Sequence, residues 1–165
     1  MATKPQKKRF LDLIRKNIDR SGHHIYVISG GANPRFAYTI GVSESIGTEL
    51  ILAGSSFFSN DDVMEILNNI AAQLKRDREA LNFEIEGGGL FTLRVAHSSW
   101  LNELILGAFD YYQKSDIAAL QIVPDSAHWT IDIPDLTKPW NAAQDQRGGG
   151  CVNRGPTRCL MTRQQ

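Results

Sequence analysis

Apolar and polar positions along the chain predict three helices separated by segments of strand character. Apolar residues recur at helical spacing over residues 8–20. Ser59 is well suited to the N-cap of a second helix, whose apolar face runs through residues 63–74. A third helical pattern covers residues 100–112. These periods predict helices at the beginning, the middle and the later part of the chain.

Other segments have the β-branched and aromatic composition of strands. Three glycines at 87–89 separate two of them and predict a hairpin. Residues 49–53 form a nearly continuous apolar run, which is typical of a strand buried on both faces. The predicted strands are residues 23–29, 35–42, 49–53, 83–86, 90–96, 119–123 and 129–133.

The order of these elements predicts the fold class. Strands are grouped rather than alternating one by one with helices, which argues against a doubly wound parallel sheet. We predict a single α+β domain over residues 1–140: a mixed, mainly antiparallel sheet with two to three helices packed on it, two of them on one side. A small barrel-like closure of the same sheet is the alternative. Residues 141–165 form a basic, Gly- and Arg-containing tail that we predict to be disordered.

Charge is distributed unevenly although the formal net charge of the 165 residues is zero. Residues 1–20 carry seven basic and two acidic residues, and residues 147–165 carry four arginines and no acid. The body of the chain, residues 21–146, has seven basic against sixteen acidic residues, which gives −9. Nucleic-acid binding needs a cationic surface, so this distribution argues against nucleic acid as the main ligand.

Composition also bears on the cellular compartment. No stretch approaches eighteen uninterrupted apolar residues, so we expect no membrane-spanning helix. The polar, basic N-terminus lacks the apolar run of a secretory signal. Both cysteines, Cys151 and Cys159, lie in the tail, and a core without cysteine suits a reducing compartment. We therefore expect a cytoplasmic protein.

The search for catalytic motifs gives mostly exclusions. His23 and His24 are adjacent on a predicted strand, so their side chains point to opposite faces and cannot share a metal. The phosphate loop, GxGxxG and HExxH are all absent, and we expect no metal and no cofactor. The Ser43 and Ser45 segment departs from a nucleophile elbow, because Ser replaces the last Gly and no helix is expected to follow.

Two polar clusters are candidate binding residues. On strand 35–42, alternation puts Tyr38 on one face and both Thr39 and Gly41 on the other. Tyr38 is either a core tyrosine with a hydrogen-bonded hydroxyl or part of a pocket, in which Gly41 would allow close approach. Gln121 in its apolar strand either binds the backbone of a neighbouring loop or faces a ligand. Asp125 is a turn former first and an acid or base second.

These clusters also carry a family resemblance. Over residues 17–136 the sequence resembles a bacterial family known as domain of unknown function 4262. It departs at Thr48, where that family usually has Pro, and after Asp125, where the family's closing motif is missing. The resemblance implies a small bacterial cytoplasmic protein and transfers no activity. The matching elements are Tyr38-Thr39-Ile40-Gly41, Gly47, Glu49-Leu50-Ile51, Leu67-Asn68, Tyr111-Tyr112 and Gln121 to Asp125.

Two functional hypotheses follow. The first is a ligand- or protein-binding domain of regulatory or immunity type, whose acidic body would steer a basic partner. The alternative is a small enzyme or metabolite-binding protein with a pocket near Tyr38, Thr39, Gln121 and Asp125, completed by Tyr112. In that pocket Asp125 would carry the proton. A homodimer through an exposed strand edge is compatible with either hypothesis.

Overall fold

The apolar segments assemble into one six-stranded sheet with helices packed against it. A computed structural model describes residues 3–30 and 33–140. The helices in these ranges are α1 (Lys4–Ser21), α2 (Ser43–Ile46), α3 (Asn60–Arg76), α4 (Ser98–Leu104) and α5 (Leu106–Tyr112), with a 3₁₀ turn at Ser126–His128. The strands are β1 (His24–Ile28), β2 (Phe36–Ile40), β3 (Glu49–Ala53), β4 (Asn82–Ile85), β5 (Gly89–Val95) and β6 (Ala119–Pro124).

The sheet is mixed and open. Its strand order is β1-β2-β3-β6-β5-β4, in which only the central β3–β6 pair is parallel. A parallel pair needs a long crossover, and here α3, the β4–β5 hairpin, α4 and α5 all lie between the two strands in sequence. The predicted α+β class with a mainly antiparallel sheet is confirmed, and the sheet is not closed into a barrel.

Helices cover both faces of the sheet, which corrects the prediction of two helices on one side. One apolar cluster joins the sheet to α1, α4 and α5, and the other joins the opposite face to α3. Every residue of β2 and β3 is buried. Apolar side chains on both faces of these strands require cover on both sides, which is why helices lie on each face.

Helix boundaries differ from the prediction where local capping intervenes. The α1 helix begins at Lys4, because Thr3 and Gln6 form a capping box and Pro5 occupies the first turn. Ser59 caps α3 as predicted, by accepting a hydrogen bond from the Asp62 amide. The helical pattern over 100–112 is divided into α4 and α5 at Ile105, whose backbone leaves helical geometry.

Two other predictions fail in loops. Residues 129–133 form turns rather than a strand, with Ile131 almost fully exposed and Ile133 donating its amide to the Thr130 carbonyl. A one-turn helix, α2, occupies the segment after Ser43 where no helix was expected. The predicted tail, with Cys151 and Cys159, lies outside the described residues. Within the described ranges no helix is long and apolar enough to cross a membrane.

Candidate functional site

A glutamate without solvent exposure lies at the amino end of the central strand pair. Glu49 is the first residue of β3, and its side chain is 0% exposed. The β2–β3 ladder ends at the pair Tyr38–Ile51. Beyond this point the Leu50 amide donates to the Thr39 hydroxyl at 2.9 Å, so a side chain replaces the backbone partner. The Glu49 carboxyl lies where β2 and β3 separate.

Four groups donate hydrogen bonds to this carboxyl. The Thr39 hydroxyl donates to Oε2 at 2.5 Å, and the Tyr112 hydroxyl donates to Oε1 at 2.5 Å. Two backbone amides, those of Gly41 and Ser43, also donate to Oε1 at 3.0 and 3.1 Å. The Gly41 amide also lies 2.6 Å from the Tyr112 oxygen, which accepts from it. We call Thr39, Gly41, Ser43, Glu49 and Tyr112 the Glu49 cluster.

Two glycines bring the backbone donors into position. Gly41 has a φ of +107° and turns the chain out of β2 into α2. Gly47 has a φ of +84° and ends α2 two residues before Glu49. Both values favour glycine. A side chain at Gly41 would also meet Ile18 of α1, since an added Cβ would lie 2.9 Å from Ile18 Cγ1.

Burial dominates the ionisation of the cluster. It raises the pKa of Glu49, and the hydrogen bonds from Thr39, Tyr112 and Ser43 oppose this shift only in part. Burial, followed by the neighbouring Glu49 carboxyl, holds the pKa of Tyr112 well above its usual range. Tyr112 therefore remains a hydrogen-bond donor at neutral pH. Among the described residues, no cation forms an ion pair with Glu49.

A cavity of about 390 Å³ adjoins the Glu49 cluster, and we call it the amino-end cavity. Two cluster members, Ser43 and Tyr112, line it, so Tyr112 belongs both to the cavity wall and, through its hydroxyl, to the surroundings of the buried carboxyl. Among the described residues, further cavities of about 190 and 170 Å³ lie elsewhere on the molecule. Drug-sized ligands usually occupy roughly 300 Å³ or more, which favours the amino-end cavity. Its charged lining residues are Glu44, Lys114 and Asp116.

Three of the six residues proposed from the sequence meet at Glu49. Thr39 and Tyr112 donate to its carboxyl, and Gly41 contributes its backbone amide. The close approach expected at Gly41 is made by Ile18 and by the backbone of His23.

The other three proposed residues lie in separate networks. Tyr38 is buried on the opposite face of β2 from Thr39, and its hydroxyl accepts from the Gly107 amide at 3.1 Å. The Gln121 amide bonds to the Pro134 carbonyl and the Leu136 amide, which agrees with the loop-binding interpretation.

Asp125 lies at the other end of the sheet from Glu49, at the carboxyl end of β6. There it caps the 3₁₀ turn by accepting from the His128 amide, and it contacts the His128 ring at 2.8 Å. The structure therefore does not bring Tyr38 and Asp125 into one site.

Sequence reasoning missed Glu49 and the backbone amide of Ser43 as site components. From the sequence, Glu49 is the first residue of an apolar strand and part of the family-matching segment Glu49-Leu50-Ile51, but it is not among the proposed site residues. A carboxyl heading a strand that is otherwise fully buried was the available signal, because such a group must find donors. No signal in the sequence could have identified the Ser43 amide, since its position depends on the one-turn helix.

The side chains of the adjacent His23 and His24 point to opposite faces of the sheet, as predicted. His23 contacts Asn68 on α3, and His24 contacts Asn17 on α1, so the two rings lie on opposite faces. Burial lowers the pKa of each. Within residues 3–30 and 33–140, no group of three or more His, Cys, Asp or Glu side chains could hold a metal ion.

Fold and site together define an α+β domain that carries a buried, hydrogen-bonded carboxyl beside an open cavity. The model of the family described as domain of unknown function (DUF4262) matches residues 17–129, and the chain belongs to this family. No curated protein and no solved structure matches the chain. Family membership supplies no activity, so the function has to be argued from the site.

Proposed function

We propose that the protein binds a small amphoteric molecule, one carrying both an ammonium and a carboxylate group, in the amino-end cavity. The observation that carries this proposal is the position of Tyr112. Its hydroxyl donates to the fully buried Glu49, and the same residue lines a cavity of about 390 Å³. Glu49 fixes the orientation of the hydroxyl, so this wall of the cavity is ordered before a ligand arrives.

The charges around the cavity support an amphoteric ligand. Glu44 and Asp116 can receive an ammonium group, and Lys114 can receive a carboxylate. Within the described residues none of these three side chains forms an ion pair. All three are exposed, so each contact would be modest and affinity would come from several contacts together.

The chemistry of the cavity supports binding over catalysis. The raised pKa of Tyr112 makes its hydroxyl a poor base at neutral pH. Ser43 would need a free base to become a nucleophile, but the adjacent Glu49 carboxyl already accepts from Thr39, Tyr112 and Gly41, and no histidine of the described residues lines the cavity. Asp125 cannot serve as the acid or base of this cavity, because it lies at the other end of the sheet.

A thermal-unfolding screen tests the proposal. The panel pairs free amino acids with their N-acetylated and carboxamide derivatives, which lack one charge each. We expect stabilisation by intact compounds, worth about 2.7 kcal/mol at a hundred times the dissociation constant, and loss of it when either charge is removed.

Two variants and one control localise the binding. Lys114→Gln should weaken the carboxylate contact and Asp116→Asn the ammonium contact, whereas Glu103→Gln on α4 changes an exposed acid outside the cavity. Compounds that stabilise all four proteins equally, or no stabilisation by any compound, would contradict the proposal.

We also propose that the protein works in a bacterial cytoplasm. Residues 1–150 contain no cysteine, so this part of the chain does not depend on disulfides. This supports a reducing compartment, where disulfides rarely form.

A further inference from the structure

A second surface lies at the opposite end of the sheet, where β3 and β6 end. A groove of about 190 Å³ runs between the first turns of α3 and the β4–β5 turn, and we call it the carboxyl-end groove. Buried apolar side chains, those of Phe58, Ile66 and Ile85, contribute to its lining. Phe57 also lines it and remains 61% exposed. The groove therefore combines an apolar floor with an accessible aromatic ring.

The charged residues of the described ranges that line this groove are all acidic. They are Asp62, Glu65 and Glu86, and no lysine, arginine or histidine of those ranges lines it. Asp62 is committed to capping α3 through Ser59. Within the described residues, Glu65 and Glu86 form no ion pair. Two carboxylates thus remain available to a cation above an apolar floor.

Exposed apolar side chains extend this surface beyond the groove. The His128 ring lies 5.0 Å from the Phe57 ring, and the adjacent Trp129 is 49% exposed. Ile131 is 98% exposed and precedes Asp132, which accepts from the Ser56 hydroxyl in the loop before Phe57. Leu90 is 53% exposed and is joined to this corner by the hydrogen bond between its carbonyl and the Asp125 amide. A group of large apolar side chains left exposed together is typical of an interaction surface.

We infer that the carboxyl-end groove docks a basic segment of a partner protein, with an arginine side chain in the groove and an apolar neighbour against Trp129. The occupant follows from charge complementarity. The guanidinium group can bond to the Glu65 and Glu86 carboxylates, and it stacks on aromatic rings such as Phe57. Lysine lacks the planar group, so arginine should bind more tightly. A contact of this size belongs with weak, transient interfaces.

A peptide titration of the full-length protein, followed by NMR, tests the inference. The probe is an acetylated hexapeptide with one arginine flanked by leucines, and its matched controls carry lysine, glutamine or glutamate instead. We expect shifts at the Phe57, Gly87 and Gly88 amides, strongest with arginine, weaker with lysine and absent with the other two. Equal response to the glutamine peptide, or shifts located elsewhere, would overturn the inference.

Variants distinguish binding by the groove carboxylates from nonspecific attraction of the peptide to acidic residues. Glu65→Gln with Glu86→Gln should weaken arginine-peptide binding at least tenfold, and Phe57→Ala should weaken it as well. The control Glu79→Gln removes an exposed acid just after α3 and should leave binding unchanged. Amide spectra confirm folding of each variant. Unchanged affinity in the folded double variant would overturn the inference.

The arginines of the chain itself are the competing occupant. Neutralising Arg147, Arg154, Arg158 and Arg163 to glutamine in the full chain should leave the groove amides unshifted when no peptide is present. If these amides move, the chain's own basic segment occupies the groove and the inference of a partner is wrong. The groove and the amino-end cavity share no lining residue, so either proposal can fail alone.

Discussion

The two ends of the sheet each hold a carboxyl group at the limit of a central strand, and the two groups behave in opposite ways. Glu49 and Asp125 both accept hydrogen bonds from backbone amides and from one or more side chains. The pKa of Glu49 is raised by burial, whereas the hydrogen bond from His128 lowers the pKa of Asp125. The Asp125 side chain keeps 29% exposure, and Glu49 has none.

Burial explains this contrast, because it is the largest cause of the raised pKa of Glu49, whereas at the partly exposed Asp125 the hydrogen bond from His128 has the larger effect. Glu49 receives four donors and its pKa still rises, because no solvent stabilises its charge. Asp125 can accept bonds from both water and protein. The carboxyl group at the amino end of the sheet therefore relies on protein hydrogen-bond donors alone, whereas the carboxyl group at the other end is also open to water. The predictions below test this difference.

The largest effect is expected from Glu49→Ala. The change leaves the Thr39 and Tyr112 hydroxyls and two backbone amides without their acceptor in a buried site. Each unsatisfied buried group costs about 1–3 kcal/mol, and partial relaxation should leave a total loss of roughly 3–5 kcal/mol. Urea unfolding measures it, with the exposed Glu44→Gln as control, expected within about 0.5 kcal/mol. A loss below 1 kcal/mol would show that the cluster is hydrated.

The second effect concerns pH. Because the folded-state pKa of Glu49 lies above the ordinary value of 4.5, the folded protein binds this proton more tightly than the unfolded chain does. The Glu49 contribution to stability is therefore complete below about pH 4.5 and is lost as the pH rises through the folded-state pKa.

The difference in unfolding free energy between wild type and Glu49→Gln isolates this contribution. It should fall with rising pH by at most about 1.4 kcal/mol per pH unit. A difference that rises with pH over this window would mean that the four donors outweigh burial.

A smaller loss is expected from Tyr112→Phe. This change removes one donor to Glu49 and one acceptor of the Gly41 amide, while the ring is kept. We expect about 1–2 kcal/mol from urea unfolding, since the remaining donors still satisfy the carboxyl. The neighbouring Tyr111→Phe is the matched control and should cost less than half as much. Equal losses of unfolding free energy in the two variants would show that the hydrogen bonds of the Tyr112 hydroxyl do not stabilise the fold.

The smallest effect is expected from Asp125→Asn, and its pH dependence has the opposite sign. The lowered pKa of Asp125 means that its contribution is present above the ordinary value of 3.8 and is lost as the pH falls. The variant should therefore reduce the acid sensitivity of unfolding below pH 4 and leave the Glu49 window unchanged. Acid unfolding of wild type and variant, followed by circular dichroism, measures this difference. A difference in stability seen only at neutral pH would contradict a lowered pKa of Asp125.

Local pattern was sufficient for much of the fold. The Ser59 cap, the apolar face of α3 and the hairpin at the three glycines are confirmed, because each depends on residues close together in sequence. The predicted strand at 129–133 is wrong because the Ile133 amide donates to the Thr130 carbonyl within a turn, and Asp132 accepts from the Ser56 hydroxyl of the loop after β3. The sequence pattern points to Thr39, Gly41 and Tyr112 but not to Glu49, whose carboxyl joins them.

The sequence by itself determined most of the segments that are helices and strands, that the class is α+β, and that the two histidines cannot share a metal. These conclusions rest on periods of two or 3.6 residues, which neighbouring positions define. Only the tertiary structure decided that residues 39, 49 and 112 meet and that residue 125 lies at the other end of the sheet. Strand order and the path of a crossover place these residues, and the ionisation of a carboxyl depends on the water they exclude.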